Sequence, residues 1–167
     1  MGPPRSTSSP SSAWCTSGTR CPECGAAGAT TSEACEKRFQ HLGVERFDDS
    51  ELASDWRLIV DCYAVQHDKY ILSGRSLAAH LTGVCIALEH AGDESLRRAV
   101  QQWLSRTREL PKPSVPAFRG DVTVDDVIVA APEDRHAVVL RWAASAWAAW
   151  AEHQQLARSW IALSGRS

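Results

Sequence analysis

The chain has 167 residues, of which 44% are hydrophobic and 23% are charged, and its formal net charge is −2. This length and composition favour one globular domain with a sizeable core. The near-neutral charge gives no electrostatic reason to expect a nucleic-acid partner, and no apolar run reaches the roughly 18 residues that a membrane-spanning helix needs.

The first twenty residues are rich in Ser, Thr, Pro and Gly. Such a segment cannot bury enough apolar surface to offset the entropy cost of ordering it. We therefore predict a disordered tail over residues 1–20, a single helical domain over 21–163 and a short tail over 164–167. Because residues 1–20 lack the apolar segment of a signal peptide, we expect a cytoplasmic protein whose cysteines stay reduced.

Helical periodicity begins after residue 30. Ser32 is the predicted cap of a first helix, Asp48–Ser50 supply caps for a second, and Ser73 caps a third. A fourth helix is predicted from about Asp93 to Arg108. The three prolines within Leu110–Pro116 exclude a helix there, so this segment is predicted to cross the surface in an extended conformation.

The last third of the chain returns to helical patterns. Thr123 and Asp126 resemble a capping box, which predicts a short helix, although the β-branched residues of 122–129 also suit a strand. One long helix is predicted from Glu133 to about Leu163. Together these segments predict an all-α fold, an antiparallel bundle of four to five helices with a Cys-rich N-terminal turn.

The N-terminal turn carries the strongest chemical signal. In the motif C-P-E-C-G, Cys21 and Cys24 are spaced to hold one cation, and Cys35 follows at the start of the first helix. Antiparallel helices would bring the same end of the bundle close to His67 and His80. Three thiolates and one imidazole form a tetrahedral zinc set, for which His67 is the first choice as fourth ligand and His80 the second.

Two other functions are compatible with the sequence. His67, His80 and His153 could converge inside the bundle and hold a catalytic metal with an open position, as in a metal-dependent transferase or hydrolase. The chain could instead be a metal-free interaction module. A structural zinc site is the preferred hypothesis, whether the protein is an enzyme stays open, and the partner is an unspecified small molecule or protein.

Residues beside His67 are candidates for positioning roles or for lining a pocket, as is His153. Tyr63 and Gln66 share a face of the second helix, so Gln66 is expected to point inward and to need hydrogen-bond partners. Asp61 either orients His80 or pairs with Arg57 one turn earlier, and the helical salt bridge is the preferred prediction.

Several motifs together resemble a known family. These are C-P-E-C-G at 21–25, V-D-C-Y-A-V-Q-H at 60–67, G-D-V-T-V-D-D-V at 120–127 and R-W-A at 141–143. They resemble a bacterial family of domains of unknown function, the one numbered 5946, and the resemblance implies no activity. The expected architecture is also similar to the DinB-like helical bundles, some of which are metal-dependent enzymes with three histidine ligands, but that likeness rests on the fold alone.

Overall fold

The structure is a computed structural model that describes residues 20–165. The tail predicted for residues 1–20 therefore lies, apart from Arg20, outside the described residues. Over the described range the chain forms seven α-helices and no strand, which confirms the all-α fold class with more helices than the four to five predicted. The helices are α1 (Ser32–Glu45), α2 (Ser50–Val65), α3 (Gly74–Glu89), α4 (Glu94–Arg106), α5 (Val124–Val129), α6 (Arg135–Ala149) and α7 (Gln154–Ser164).

Side-chain caps fix where the first helices begin. Thr31 accepts a hydrogen bond from the Ala34 amide and caps α1, one residue before the predicted cap. Asp49 caps α2 in the same way, Ser73 caps α3 as predicted, and Asp93 caps α4 at the predicted start of that helix. Each cap satisfies an amide at a helix start that has no partner within the helix.

The long C-terminal helix is not continuous, so the prediction of one helix from Glu133 to Leu163 is wrong. α6 ends at Ala149, a single 3-10 turn follows over Ala151–His153, and α7 begins at Gln154. The Gln154 side chain donates to the carbonyl of Trp147 at 3.0 Å, which satisfies an acceptor at the end of α6. The break changes the helical register, so residues after it do not continue the face of α6.

α2 is the central helix of the packed fold, and it lies mainly against α3 and α6. α7 covers α3 and α4, while the short α5 packs on α1. The largest fully buried side chains are Trp142, Trp150 and Tyr63. The longest described helices have 16 residues, and none of the helices between residues 20 and 165 is long and apolar enough to cross a membrane.

Gln66 connects the end of α2 to the segment that leads into α5. Its amide nitrogen donates to the carbonyls of Arg119 at 2.9 Å and Val122 at 3.0 Å, and its amide oxygen accepts from the indole of Trp142 at 2.9 Å. The side chain is fully buried, so these three bonds replace the water that it loses on folding. The inward orientation predicted for Gln66 is confirmed.

We expect Gln66→Leu to lower the free energy of unfolding by at least about 2 kcal/mol, because it leaves two half-buried carbonyls and one buried indole N–H without this partner. Gln102→Leu, on the exposed side of α4, is the control and should change stability by less than about 0.5 kcal/mol. Urea unfolding followed by circular dichroism measures both. Equal stability of the two variants would contradict the bridging role of Gln66.

Candidate metal centre

The C-P-E-C-G turn closes on itself before α1 begins. The Gly25 amide donates to the Cys21 carbonyl at 2.9 Å, and the Cys21 amide donates to the Ala26 carbonyl at 2.9 Å. Gly25 has a φ of 79°, a left-handed conformation that a residue without a Cβ adopts without strain. The tight turn places Cys21 and Cys24 side by side, and both are buried.

Two helices supply the other donors. Cys35 lies in the first turn of α1, where its amide bonds to the Thr31 carbonyl. His67 follows the last residue of α2 and its capping residue, and its amide donates to the Ala64 carbonyl at 3.1 Å. A helix start and a helix end therefore converge under the cysteine turn, as antiparallel packing predicts.

The donor atoms are spaced as zinc ligands are. Cys24 Sγ lies 3.7 Å from Cys35 Sγ, and His67 Nε2 lies 3.7 Å from Cys21 Sγ and 3.5 Å from Cys35 Sγ. All four donor atoms lie within 4.8 Å of one another. Tetrahedral ligands at zinc–sulfur and zinc–nitrogen distances would be about 3.8 Å apart for two sulfurs and about 3.6 Å for sulfur and nitrogen. Three of the six donor–donor distances thus match a tetrahedral ion, and the other three are no longer than 4.8 Å.

The orientation of the His67 ring makes it a competent ligand. Its Nδ1 lies 2.7 Å from the Tyr63 carbonyl oxygen, which can only accept, so Nδ1 carries the proton. In the neutral ring Nε2 then presents a lone pair toward the thiols. Histidines that bind metals are commonly oriented by such a bond from the second ring nitrogen.

The thiols influence one another strongly. The hydrogen bond with Cys24 lowers the pKa of Cys35 to about 5, and His67 and Tyr63 favour the thiolate further against the opposing effect of burial. The same bond with Cys35, together with burial, raises the pKa of Cys24 well above its usual range. The pair therefore favours one negative charge and resists a second. A bound divalent cation would remove this resistance, because its charge stabilises both thiolates.

Aromatic rings pack the site against the core. Tyr63 stacks on His67 with ring centres 3.9 Å apart and on Phe39 at 4.0 Å. Phe39 in turn stacks on Trp56 at 5.3 Å. The imidazole is thus the last ring of a continuous stack, which restricts its rotation and excludes water from one face.

Polar contacts hold the turn onto the end of α2. Glu23 accepts a hydrogen bond from the Asp68 amide at 2.8 Å. Arg119 donates to the Gln66 carbonyl at 3.0 Å and to the Asp68 carboxylate at 2.8 Å. Sequence patterns assign no role to Glu23 or Arg119, because these contacts join segments that are distant along the chain.

Asp125 fixes the loop between the turn and α1. Its carboxylate accepts from the Gly28 amide and from the Arg38 guanidinium. A Cβ at position 28 would lie 2.5 Å from that guanidinium carbon, so a larger residue there would displace the Arg38 side chain. Asp125 belongs to the G-D-V-T-V-D-D-V motif, and its contacts give that motif a positioning role.

The structure places His80 away from the four donors. His80 Nδ1 lies 3.0 Å from Asp61, which also accepts from Arg97 at 2.9 Å. The predicted pair of Asp61 with Arg57 is wrong, because Arg57 instead binds Glu94 at 2.7 Å. His80 is not among the residues whose donor atoms lie within 4.8 Å of one another at the cysteine turn, so it is not brought to the thiols.

His153 also lies apart from the other histidines. Its Nε2 is 2.8 Å from the Ser114 carbonyl, to which it donates, and its ring packs on Trp150. The break before α7 moves this residue off the buried face on which a continuous helix would have put it. The three-histidine set of His67, His80 and His153 is therefore not brought together.

Residues 19–151 match a protein family described as "Family of unknown function (DUF5946)". The chain belongs to this family. The match includes all four clustered donors and ends before His153, and the family description assigns no activity. No curated protein matches the chain, and no solved structure matches it either. The likeness to DinB-like bundles stays a prediction.

We expect His67→Ala to weaken zinc binding roughly a hundredfold, since one of four ligands is lost from a site worth several kcal/mol per ligand. His80→Ala, which changes a histidine outside the cluster, should leave zinc affinity unchanged. Competition with a chromophoric chelator measures both affinities. The opposite ranking of the two variants would exclude His67 as the fourth ligand.

In the metal-free protein we expect one thiol to ionise near pH 5, the value to which its neighbours lower the pKa of Cys35. Ultraviolet thiolate absorbance should therefore rise as the pH is raised through this range. The step should be absent from Cys35→Ala and present in Cys62→Ala, which removes a fully buried thiol in α2. Absorbance that rises only above about pH 8 would contradict the prediction.

Proposed function

We propose that Cys21, Cys24, Cys35 and His67 bind one zinc ion whose role is structural. The observation that carries this proposal is that the four side chains bring their donor atoms within 4.8 Å of one another and are all at least 95% buried. Structural zinc sites have four protein ligands, whereas catalytic sites have three and keep one position open for water or substrate. Four buried protein donors leave no such position.

The donor chemistry supports zinc over other divalent cations. Thiolates and imidazole are soft or borderline ligands, which disfavours magnesium and calcium, and tetrahedral sulfur–nitrogen sets are typical of zinc. We further propose that the protein works in the reducing cytoplasm, where thiols remain available for a metal. The ion would join the N-terminal turn, the start of α1 and the end of α2.

The proposed ion therefore acts on the fold and not on a substrate. It would add binding free energy to folding and hold residues 21–35 against the bundle. The function that follows is a metal-stabilised helical module that presents its surfaces to a small molecule or protein partner. The chain's own residues position the donors: Tyr63 orients His67, while Glu23 and Arg119 fix the turn against α2.

We expect the purified full chain to contain one zinc ion, and a strong chelator to lower its melting temperature by roughly 10 °C, since loss of a structural ion costs at least a few kcal/mol. Cys24→Ser should contain almost no zinc and melt near the chelated temperature. Cys62→Ala should keep its zinc. Elemental analysis and differential scanning calorimetry measure these outcomes.

The same measurements separate the alternative functions. Zinc that is lost in His153→Ala but retained in Cys24→Ser would favour the three-histidine catalytic site. No zinc in the wild-type chain, together with no effect of the chelator, would indicate a metal-free interaction module. Either result would overturn the structural zinc site.

A further inference from the structure

A second polar cluster lies outside the four donors, where α2, α3 and α4 line a partly open cavity of about 150 Å³. A cavity of about this size in another protein holds one benzene molecule. Here one wall is apolar and the other carries charged and polar groups. The residues that decide its chemistry are Asp61, His80, Ile86, Arg97, Val100 and Leu104.

The polar wall is a fixed network around one buried carboxylate. Asp61 is 6% exposed and accepts from His80 Nδ1 at 3.0 Å and from Arg97 Nη1 at 2.9 Å. Arg97 Nη2 also donates to the Gly83 carbonyl at 3.0 Å. A buried ion pair of this kind seldom adds stability compared with apolar residues of the same volume, so its presence suggests a use beyond folding.

Glycine at position 83 makes this network possible. A Cβ there would lie 2.1 Å from the Asp61 carboxylate oxygen, far inside contact distance. The carboxylate therefore occupies the space that a side chain would fill on α3. This close approach places Asp61 deep enough to hold the ring of His80 at the edge of the cavity.

The second nitrogen of His80 is available to a ligand. Because the carboxylate accepts from Nδ1, the neutral ring has its lone pair on Nε2, and among residues 20–165 no hydrogen bond to Nε2 is formed.

The charges around the cavity are balanced, since Asp61 offsets Arg97 and Glu94 offsets Arg57. The cavity therefore favours a neutral ligand over an ion.

We propose that this cavity binds a small neutral molecule about the size of one ring, whose single hydroxyl donates to His80 Nε2. The apolar part of the ligand packs on Ile86, Val100 and Leu104. Asp61 and Arg97 act through His80 as positioning residues, because they hold the ring in the tautomer that accepts. This site is independent of the proposed zinc ion and needs none of its ligands.

The test compares phenol with benzene, which have the same ring and differ by the hydroxyl. The full chain is titrated with each while the histidine ring nitrogens are followed by nitrogen NMR. We expect phenol to shift the His80 Nε2 signal saturably and to bind roughly fivefold more tightly than benzene, the effect of one net hydrogen bond. The signals of His136, an exposed histidine that pairs with Asp55 and does not line this cavity, should not move.

Two variants show which residue is responsible. His80→Leu removes the acceptor, so the preference for phenol over benzene should disappear, while the matched control His136→Leu should keep it. If His80→Leu does not fold, the comparison of phenol with benzene in the wild-type chain tests the proposal by itself. No saturable shift at His80, or equal binding of phenol and benzene, would overturn the proposal, and neither result would bear on zinc content.

Discussion

Three thiols and one imidazole nitrogen share a buried space at one end of the bundle, and much of the surrounding structure is arranged around their mutual contacts. A buried polar atom needs a partner, and each of these donors has the others as near neighbours. Without a cation the thiols resist ionising together, because the bond between Cys24 and Cys35 favours one negative charge and opposes a second. A cation at their centre would satisfy all four at once, and the cluster has the donors to hold one.

The end of α2 connects the donor cluster to the core. Successive residues there serve different neighbours: the Val65 carbonyl accepts from the Trp150 indole, Gln66 binds Trp142, and His67 faces the thiols. The site and the largest core side chains thus meet within three consecutive positions. A change at this point would disturb the packing of α6 as well as the donor cluster.

Local patterns predicted the parts of the fold and of the site that local chemistry determines. The C-x-x-C spacing and the helix boundaries at Cys35 and His67 predicted that these cysteines and His67 would lie at one end of the bundle, where the structure clusters them, and capping residues located most helix starts. The pairing of Arg97 with Asp61 and of Arg119 with Gln66 joins positions 36 and 53 residues apart, for which sequence spacing carries no signal. The break at Trp150 was also missed, because the apolar residues on either side suit a continuous helix and a side chain of α7 caps α6.

The spacing of the donors along the chain also affects the unfolded protein. Cys24 and Cys35 are 11 residues apart, while His67 lies 32 residues beyond Cys35. An unfolded chain can gather the three neighbouring sulfurs around an ion at little entropic cost, but bringing in the histidine closes a much longer loop. A ligand that also binds the unfolded state stabilises the folded one by less than its full affinity. The His67 nitrogen would therefore link the metal to folding more strongly than any one of the three sulfurs, by about 1 kcal/mol of loop-closure entropy.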